Sequence, residues 1–289
     1  MLSKILVPVV FSERCELAGR YAAGLARRFR SDLILLHVFT VPTMAFPSPE
    51  GYAVPPQTEV DAMLERSRAR LDEYLAAELS GLSVRRVVSE GDPAQTIVQC
   101  ARSEGCDLIV MPTHGYGPFR RFLLGSVTAK VLHDSTCPVF TGPHLEHAPA
   151  GAAANFRKLV CAVDFGPQSH AVIEWASRFA AEFQSEVTLL HILPNAPTRL
   201  EGVYFDPQWR CDLAAAASRQ MEDLQLALNT KHQVRVEAGE VAHTARQIAE
   251  AESADLLLIG RGRSHGLLGR LRTNAYAILR ESPCPVVAV

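Results

Sequence analysis

The 289-residue sequence has no apolar run that approaches the roughly 18 residues needed to cross a membrane. Its formal net charge is only −2, so it has no strong basic field that would attract nucleic acid or an acidic membrane surface. Residues 2–10 are apolar, but they are too short for the core of a secretion signal and include Lys4. We therefore expect a first strand there, no membrane association and no nucleic-acid partner.

Cysteine spacings typical of disulfide frameworks or zinc sites are also missing. The seven cysteines are odd in number and include no C-x-x-C pair. We interpret them as small apolar filler residues of a protein in a reducing compartment, and we expect a cytoplasmic location. The apolar fraction of 48% and the charged fraction of 21% are typical of a globular protein, and the length favours two domains.

Common motifs of nucleotide and metal enzymes are absent. Neither G-x-x-x-x-G-K-[ST] nor H-E-x-x-H occurs, and no G-x-G-x-x-G follows the first apolar run. A dinucleotide-binding domain of the Rossmann type is therefore not expected. No general base is evident in the sequence, so any hydrolysis of a bound nucleotide is expected to be slow or absent, and no catalytic residue is predicted.

What the sequence does contain is a long internal repeat. Its two halves share several segments, which are 4–12 with 158–166, 31–38 with 185–192, 91–96 with 239–244 and 107–110 with 255–258. The intervening stretch 142–154 is rich in Gly, Ala and Pro and has no apolar period, as is typical of a linker. We predict a first domain over 1–142, a linker over 143–155 and a second domain over 156–289.

Within each half, short apolar runs alternate with helical patterns. In the first half, the predicted strands lie near 4–10, 32–39, 84–89, 107–111 and 138–141, and the predicted helices near 13–30, 58–80, 93–104 and 126–134. The strands are almost wholly apolar, as expected for a parallel sheet covered by helices on both faces. The predicted fold is α/β, with two repeated doubly wound domains, each a five-stranded parallel sheet with a ligand crevice at the carboxyl ends of its strands.

Two further features recur in both halves of the sequence. The Pro-rich connections 40–57 and 194–210 leave the second strand of each half, and connections of that length are usually lids or disordered segments. His37 and His191 recur at matching positions of the second strand. Their recurrence predicts a shared packing or hydrogen-bonding role in both domains rather than catalysis.

The segment Met111–Ser126, MPTHGYGPFRRFLLGS, joins a buried strand to a helix in the first half. Its glycines permit positive φ and close backbone approach, and the first N–H groups of a helix attract anions. We interpret Ser126 as a helix cap or a phosphate contact. The segment therefore predicts a phosphate site, the alternative being an ordinary strand–loop–helix connection.

Together, these features resemble the universal stress protein family in a form with two domains in one chain. Thr113-His114-Gly115 and 123–127 (LLGSV) are close to the ATP-binding signature of that family. The resemblance implies the adenine nucleotide alpha hydrolase-like fold. It also implies domain pairing through the last strands, which one chain can satisfy internally, with or without a further homodimer.

The resemblance further implies a site for ATP, with or without Mg²⁺, in the first domain only. Carried over position by position, its residues are Val38, Pro112, Thr113, His114, Gly115, Gly125, Ser126 and Val127. The backbone of Val38 falls where the family holds adenine, and the N–H groups of Gly125 and Ser126 fall in the phosphate cradle. Two positions depart from the pattern, because Pro112 replaces a glycine and Val10 replaces the aspartate that ends the first strand.

The second half departs in the opposite way. Asp164 keeps the strand-end carboxylate, but the Gly-Ser position holds Arg272-Thr273 or Thr273-Asn274, depending on a one-residue gap. Side chains there would obstruct a phosphate, so we predict one nucleotide site per chain and a structural second half.

Three functional hypotheses remain open from the sequence. The first is a stress-response factor that binds ATP or another adenine nucleotide as a regulatory signal. The second is an interaction scaffold of the same fold that binds no nucleotide. The third is an enzyme whose acid–base groups come from the Pro-rich connections, through Glu50, Tyr52, Tyr204 and Asp206.

Overall fold

The computed structural model describes residues 1–41, 44–45, 52–53, 56–113, 124–142, 155–194, 199–200, 203–204, 207–261 and 273–289. The chain packs as two compact units, of which the first is built mainly from Met1–Val139 and the second from Asn155–Val289. Across these described ranges, no helix combines the length and the apolar composition that a membrane crossing requires.

The first unit alternates strands and helices. Its elements are β1 (Lys4–Pro8), α1 (Glu13–Phe29), β2 (Asp32–Phe39), β3 (Met44–Ala45), β4 (Tyr52–Ala53), α2 (Gln57–Glu73), β5 (Val84–Glu90), α3 (Pro93–Ser103), β6 (Leu108–Val110), α4 (Ser126–Asp134) and β7 (Val139–Thr141). The main strands lie in the order β7-β6-β1-β2-β5, and β1 is parallel to both of its neighbours. The strand order reverses at β1, and ligand crevices form at such switch points.

The second unit repeats this arrangement. Its elements are β8 (Lys158–Ala162), α5 (Ser169–Phe183), β9 (Glu186–Pro194), β10 (Arg199–Leu200), β11 (Val203–Tyr204), α6 (Pro207–Leu228), β12 (Gln233–Gly239), α7 (Val241–Ala251), β13 (Leu256–Ile259), α8 (Thr273–Glu281) and β14 (Val286–Ala288). The strand order is β14-β13-β8-β9-β12, with parallel pairing throughout. The predicted α/β fold of two doubly wound units is confirmed.

A repeated aspartate fastens the first strand of each unit at its amino end. Asp107, just before β6, accepts hydrogen bonds from the Ser3 backbone nitrogen at 2.7 Å, from Ser3 Oγ at 2.6 Å and from the Lys4 nitrogen at 3.0 Å. Asp255, just before β13, accepts bonds from the nitrogens of Arg157 and Lys158 at 2.7 and 2.9 Å. Because β1 and β8 are central strands, these carboxylates hold the middle of each sheet in register.

The second helix is shorter than the sequence predicts. The prediction of a helix to residue 80 is wrong, because α2 ends at Glu73, where Tyr74 takes an extended conformation and Leu75 has a φ of +50°. The bend buries the side chains of Tyr74 and Leu75. A Cβ on Gly19 of α1 would lie 2.5 Å from Leu75 Cδ1, so the contact is close. Packing against α1 therefore overrides the local helical pattern.

The Pro-rich connections contain more regular structure than expected. Two-residue antiparallel pairs form within them, β3 with β4 and β10 with β11. The predicted connection 194–210 is too long, because α6 begins at Pro207. Proline is well suited to the first turn of a helix, where its missing N–H removes no helical hydrogen bond.

The corresponding helices α1 and α5 are each followed by a residue with left-handed backbone. Arg30 follows α1 with a φ of 56°, and Gln184 follows α5 with a φ of 55°. This conformation costs a non-glycine residue about 1–2 kcal/mol, which a substitution by glycine would relieve. The greater flexibility of glycine in the unfolded chain offsets part of that gain in stability.

We expect Arg30→Gly and Gln184→Gly each to raise the free energy of unfolding by about 0.5–1 kcal/mol in urea denaturation. The control substitutions Arg30→Ala and Gln184→Ala keep a side chain in the left-handed conformation and should give no gain. Glycine variants no more stable than the alanine variants would contradict this expectation.

Candidate functional site

The described site residues of the first unit surround the carboxyl end of β1. Val38 lies in β2, and Pro112 and Thr113 follow β6, so these residues lie in or just after the two strands that flank β1. Neighbouring strands lie about 4.8 Å apart, which separates the two flanking strands by about 10 Å. Val10 follows the end of β1 between them and is half-buried. The predicted residues His114 and Gly115 lie outside the described residues.

Hydrogen bonds connect the residues that follow β6 to the start of α4. The Gly125 nitrogen donates a hydrogen bond to the Thr113 carbonyl oxygen at 2.9 Å. The buried Thr128 hydroxyl donates to the Pro112 carbonyl oxygen at 3.0 Å. The structure thus brings Pro112 and Thr113 together with the start of α4, and it places Val38 across the end of β1.

The N-cap of α4 is Gly125, and the interpretation of Ser126 as the cap is wrong. Gly125 has φ −62° and ψ 144°, an extended conformation open to any residue, so it is not the positive-φ glycine that the sequence suggested. Ser126 is the first helical residue, and no side chain caps this turn. Because the Gly125 N–H is bonded to Thr113, the N–H groups available to an anion begin at Ser126 and include that of Val127. The Gly125 N–H of the predicted cradle is therefore already used in a hydrogen bond within the chain.

A charged pair lies at the start of α3, another helix that begins at this edge of the unit. Asp92 caps α3 by accepting a hydrogen bond from the Gln95 nitrogen, and its carboxylate lies 3.2 Å from Lys130 Nζ of α4. The bond from Gln95 and the one from Lys130 lower the pKa of Asp92, so this carboxylate is ionised at neutral pH. The α3 terminus therefore already has an anion, whereas the α4 terminus has no side-chain cap.

His37 and His191 make the same hydrogen bond in the two units. The Nδ1 of His37 lies 2.8 Å from the Val9 carbonyl oxygen, and the Nδ1 of His191 lies 2.8 Å from that of Val163. A carbonyl oxygen only accepts, so Nδ1 carries the proton and Nε2 of the neutral ring is an acceptor. The predicted shared role in packing and hydrogen bonding is confirmed for both residues.

A strained phenylalanine packs against each of these histidines. The rings of Phe11 and His37 have centroids 4.6 Å apart, and those of Phe165 and His191 are 4.2 Å apart. Phe11 and Phe165 have φ values of 55° and 56°. Such a conformation is an outlier for a bulky residue, and strain of this kind concentrates at functional sites. Sequence reasoning missed this pair, although the phenylalanine recurs at the same position of the repeat.

The second unit contains a cavity of about 300 Å³ at the carboxyl ends of β8, β9 and β13. Its apolar lining residues include Val163, Leu190, Ile192, Ile259, Ala275 and Ile278. Asp164, His191 and Asn274 are polar residues of the lining. The sequence predicts a merely structural second half and so misses this cavity, for which the strand-end Asp164 was the available signal.

The helix boundaries decide which residues of the second half align with Gly125 and Ser126 of the first half. Both α4 and α8 contain 9 residues, and they begin at Ser126 and Thr273. Thr273 therefore corresponds to Ser126. In sequence, Arg272 takes the position of Gly125, the residue that leaves the first turn of α4 uncapped.

Thiols and metal ligands provide no alternative site within the described ranges. None of the seven cysteines forms a disulfide, and Cys211 is exposed, which does not fit its interpretation as a small apolar filler residue. Burial raises the pKa of Cys106, Cys161 and Cys284 to about 12, so these thiols stay protonated at neutral pH. Among the described residues, no three His, Cys, Asp or Glu side chains are close enough to share a metal ion. The side chains of Glu50, Tyr52, Tyr204 and Asp206 lie outside this part of the structure.

Comparison with known proteins identifies the repeat. A model of the universal stress protein family matches residues 1–141 and again residues 155–289. A universal stress protein of Mycolicibacterium smegmatis is 24% identical over 300 residues, which cover 99% of this chain and 96% of that protein. Universal stress protein YxiE of Bacillus subtilis is 30% identical over 145 residues, covering 48% of this chain and 97% of that protein.

The fold is also shared with a solved structure. The crystal structure of a universal stress protein from Archaeoglobus fulgidus matches 99% of this chain and 95% of its own at a TM-score of 0.70. The sequence identity of that match is 22%, so it bears on the fold alone.

Proposed function

This chain belongs to the universal stress protein family and contains two such domains, and on that premise we propose that its first unit binds ATP or another adenine nucleotide as a regulatory signal. The observation that carries this proposal is the uncapped first turn of α4. Its N-cap is a glycine without a side-chain cap, and it lies beside the end of β6 at the switch point of the sheet. Free N–H groups and the positive end of a helix at such a place favour a phosphate.

The described residues suggest how a nucleotide would be held. The N–H groups of Ser126 and Val127 would face its phosphates, with Pro112 and Thr113 forming the adjoining wall. The backbone of Val38 would take the base on the far side of β1. His114 and Gly115 are proposed to complete the phosphate cradle. Because Val10 provides no carboxylate, a Mg²⁺ ion at this site would be held by phosphate oxygens and water.

A regulatory role fits the described part of this crevice better than catalysis does. His37 is held by its bond to the Val9 carbonyl and by its contact with Phe11, which suits packing. Within the described residues, no side chain in the crevice is paired with a nucleophile or positioned as a general base. We therefore propose that hydrolysis of a bound nucleotide is slow or absent.

One observation favours the alternative of a scaffold that binds no nucleotide. Val10 is apolar at the switch point, where a carboxylate would accept hydrogen bonds from a ribose. Loss of such a bond costs affinity of about 1–3 kcal/mol. This loss would weaken a site without abolishing it, so nucleotide binding remains the proposal.

Calorimetric titration of the whole chain with Mg²⁺ and ATP tests the proposal. We expect saturable binding and a higher melting temperature, since a ligand at about 100 times its Kd stabilises the native state by about 2.7 kcal/mol. A scaffold predicts the same melting temperature with and without ATP. The nucleotide proposal would be refuted if ATP, at concentrations into the millimolar range, produced no binding heat and no shift in the melting temperature.

A further inference from the structure

We propose that helix α6 binds a second copy of this chain, through two α6 helices packed antiparallel about a two-fold axis. The contact face is a line of exposed residues, which we call the α6 stripe and which consists of Cys211, Ala215, Arg219, Glu222 and Leu226. α6 packs against β9 and β12, and β12 lies at the edge of this unit's sheet opposite to β14. The surface is therefore distinct from the last strand of the unit and from the nucleotide site proposed for the first unit.

The α6 stripe lies on a side of the helix that faces away from the core. Its residues recur at intervals of four, four, three and four positions, which keeps them on one face of a helix with about 3.6 residues per turn. Ala217, Met221 and Gln225, on another face, are buried in the unit. Leu226 is 82% exposed, and it is the exposed large apolar side chain of the described ranges. A single exposed leucine is ordinary on a protein surface, so its neighbours on the stripe decide whether it has a role.

Ala215 gives the Leu226 side chain of a second copy a place to pack. The two residues are 11 positions apart, which is close to three helical turns, or about 16 Å along the axis. When two α6 helices lie antiparallel with residue 215 opposite residue 226, each leucine contacts the small alanine of the other copy. Alanine allows two helices to approach within about 8–10 Å, and the contact removes both leucines from water.

Arg219 and Glu222 are complementary in this same register. The 215–226 pair and the 219–222 pair are both centred between residues 220 and 221, so the two-fold axis also places Arg219 of each copy opposite Glu222 of the other. Within the described residues, neither side chain takes part in an ion pair of its own chain. A parallel arrangement would instead bring the two arginines together and the two glutamates together. The charges therefore favour antiparallel pairing of two identical chains.

The expected dimer is reversible. One pair of helices buries less area than the roughly 1,200–2,000 Å² of a standard stable interface. The contact consists of two leucine–alanine packings and two exposed ion pairs, and an exposed ion pair contributes little to affinity. We therefore expect a dissociation constant in the micromolar range, which makes the dimer depend on protein concentration.

Charge reversal in the full chain tests the register, with sedimentation velocity from micromolar to millimolar protein concentration. Arg219→Glu leaves two carboxylates at each polar contact, and Glu222→Arg leaves two guanidinium groups. We expect either variant alone to dimerise at least about tenfold more weakly than the native chain, because symmetry repeats each repulsion. An equimolar mixture of the two variants should dimerise at about native strength, since both contacts of the mixed dimer again join opposite charges.

Two further variants separate this contact from a general effect of charge. Leu226→Ser should weaken dimerisation by about tenfold, because it removes the side chain that Ala215 of the other copy receives. Arg66→Glu is the matched control, since Arg66 is exposed on α2, the helix of the first unit that corresponds to α6, and its reversal makes the same change in net charge. This control should dimerise like the native chain. Circular dichroism and urea denaturation check that every variant folds.

A native chain that stays monomeric up to millimolar concentration would overturn the proposal. It is equally overturned if Arg219→Glu, Glu222→Arg or Leu226→Ser dimerises as well as the native chain, if Arg66→Glu is weakened as much as Arg219→Glu, or if the mixture of the two charge variants is no stronger than either alone. Recovery in the mixture, with Leu226→Ser weakened and Arg66→Glu unaffected, supports the antiparallel α6 contact. The samples contain no nucleotide, so the outcome is independent of the function proposed for the first unit.

Discussion

Gly125→Asp is expected to weaken ATP binding by about 100-fold or more while the first unit stays folded. Residue 125 is the N-cap of α4, with φ −62° and ψ 144°, so an aspartate fits there without backbone strain. Its carboxylate would accept a bond from the first helical turn and put a negative charge where the phosphate is proposed. Two unit charges about 4 Å apart interact by about 4 kcal/mol near a protein surface, which exceeds the 2.7 kcal/mol of a 100-fold change.

The matched control is Gly125→Asn, which has the same shape without the charge. Both residues are favourable N-caps, so both variants should melt at or slightly above the temperature of the native chain. Titration should show a smaller loss of ATP affinity for asparagine than for aspartate. If the aspartate variant bound ATP as tightly as the native protein, the phosphates would not lie at α4.

Asp107→Ala is expected to lower the free energy of unfolding of the first unit by about 2–3 kcal/mol. It removes an acceptor for the Ser3 nitrogen, the Ser3 hydroxyl and the Lys4 nitrogen, all bonded at 2.6–3.0 Å. The site is partly exposed, so water replaces some of these bonds and the loss is less than their sum. Scanning calorimetry should show the melting temperature reduced by roughly 10 °C.

Asp255→Ala in the second unit is the matched comparison. Asp255 accepts backbone bonds from Arg157 and Lys158 at 2.7 and 2.9 Å. Its position in the repeat is that of Asp107, but residue 157 is an arginine where the first unit has Ser3 with its bonded hydroxyl. We expect the second substitution to cost less, about 1–2 kcal/mol. A loss at Asp107 no larger than about 0.5 kcal/mol, the range of an ordinary surface change, would show that these bonds do not stabilise the strand.

The contribution of Asp107 should also depend on pH. Burial acts to raise its pKa, but the bonds from Ser3 and Lys4 outweigh burial and lower it. A carboxylate with a lowered folded pKa stabilises the protein above its unfolded pKa, about 3.9, and this stabilisation is lost as the pH falls through the folded pKa. The stability difference between the native chain and Asp107→Ala should therefore be constant near neutral pH and shrink below about pH 4. A difference that stayed unchanged down to acid unfolding would argue against the charged form as its source.

The repeat and the alternation of apolar runs were sufficient to predict the fold. Buried parallel strands are recognisable because both of their faces are apolar, as in 5–7 (ILV) and 256–259 (LLLI). The end of α2 was mispredicted because a local pattern contains no information about what α1 presents to it. Leu75 takes a left-handed conformation because its side chain packs against Gly19, a residue far away in the sequence.

For the candidate sites, too, some features follow from the sequence and others only from the tertiary structure. The sequence by itself determined that the chain is a tandem α/β repeat, that Pro112, Thr113 and 125–127 lie beside one strand end, and that Asp164 is present where the first unit has Val10. Only the tertiary structure decided that Gly125 is the cap and gives its N–H to Thr113, that Phe11 and Phe165 are strained against histidines, and that a cavity lies beside Asp164. The physical reason is that strand and helix periodicity is encoded locally, whereas hydrogen-bond partners and enclosed space depend on which distant elements come together.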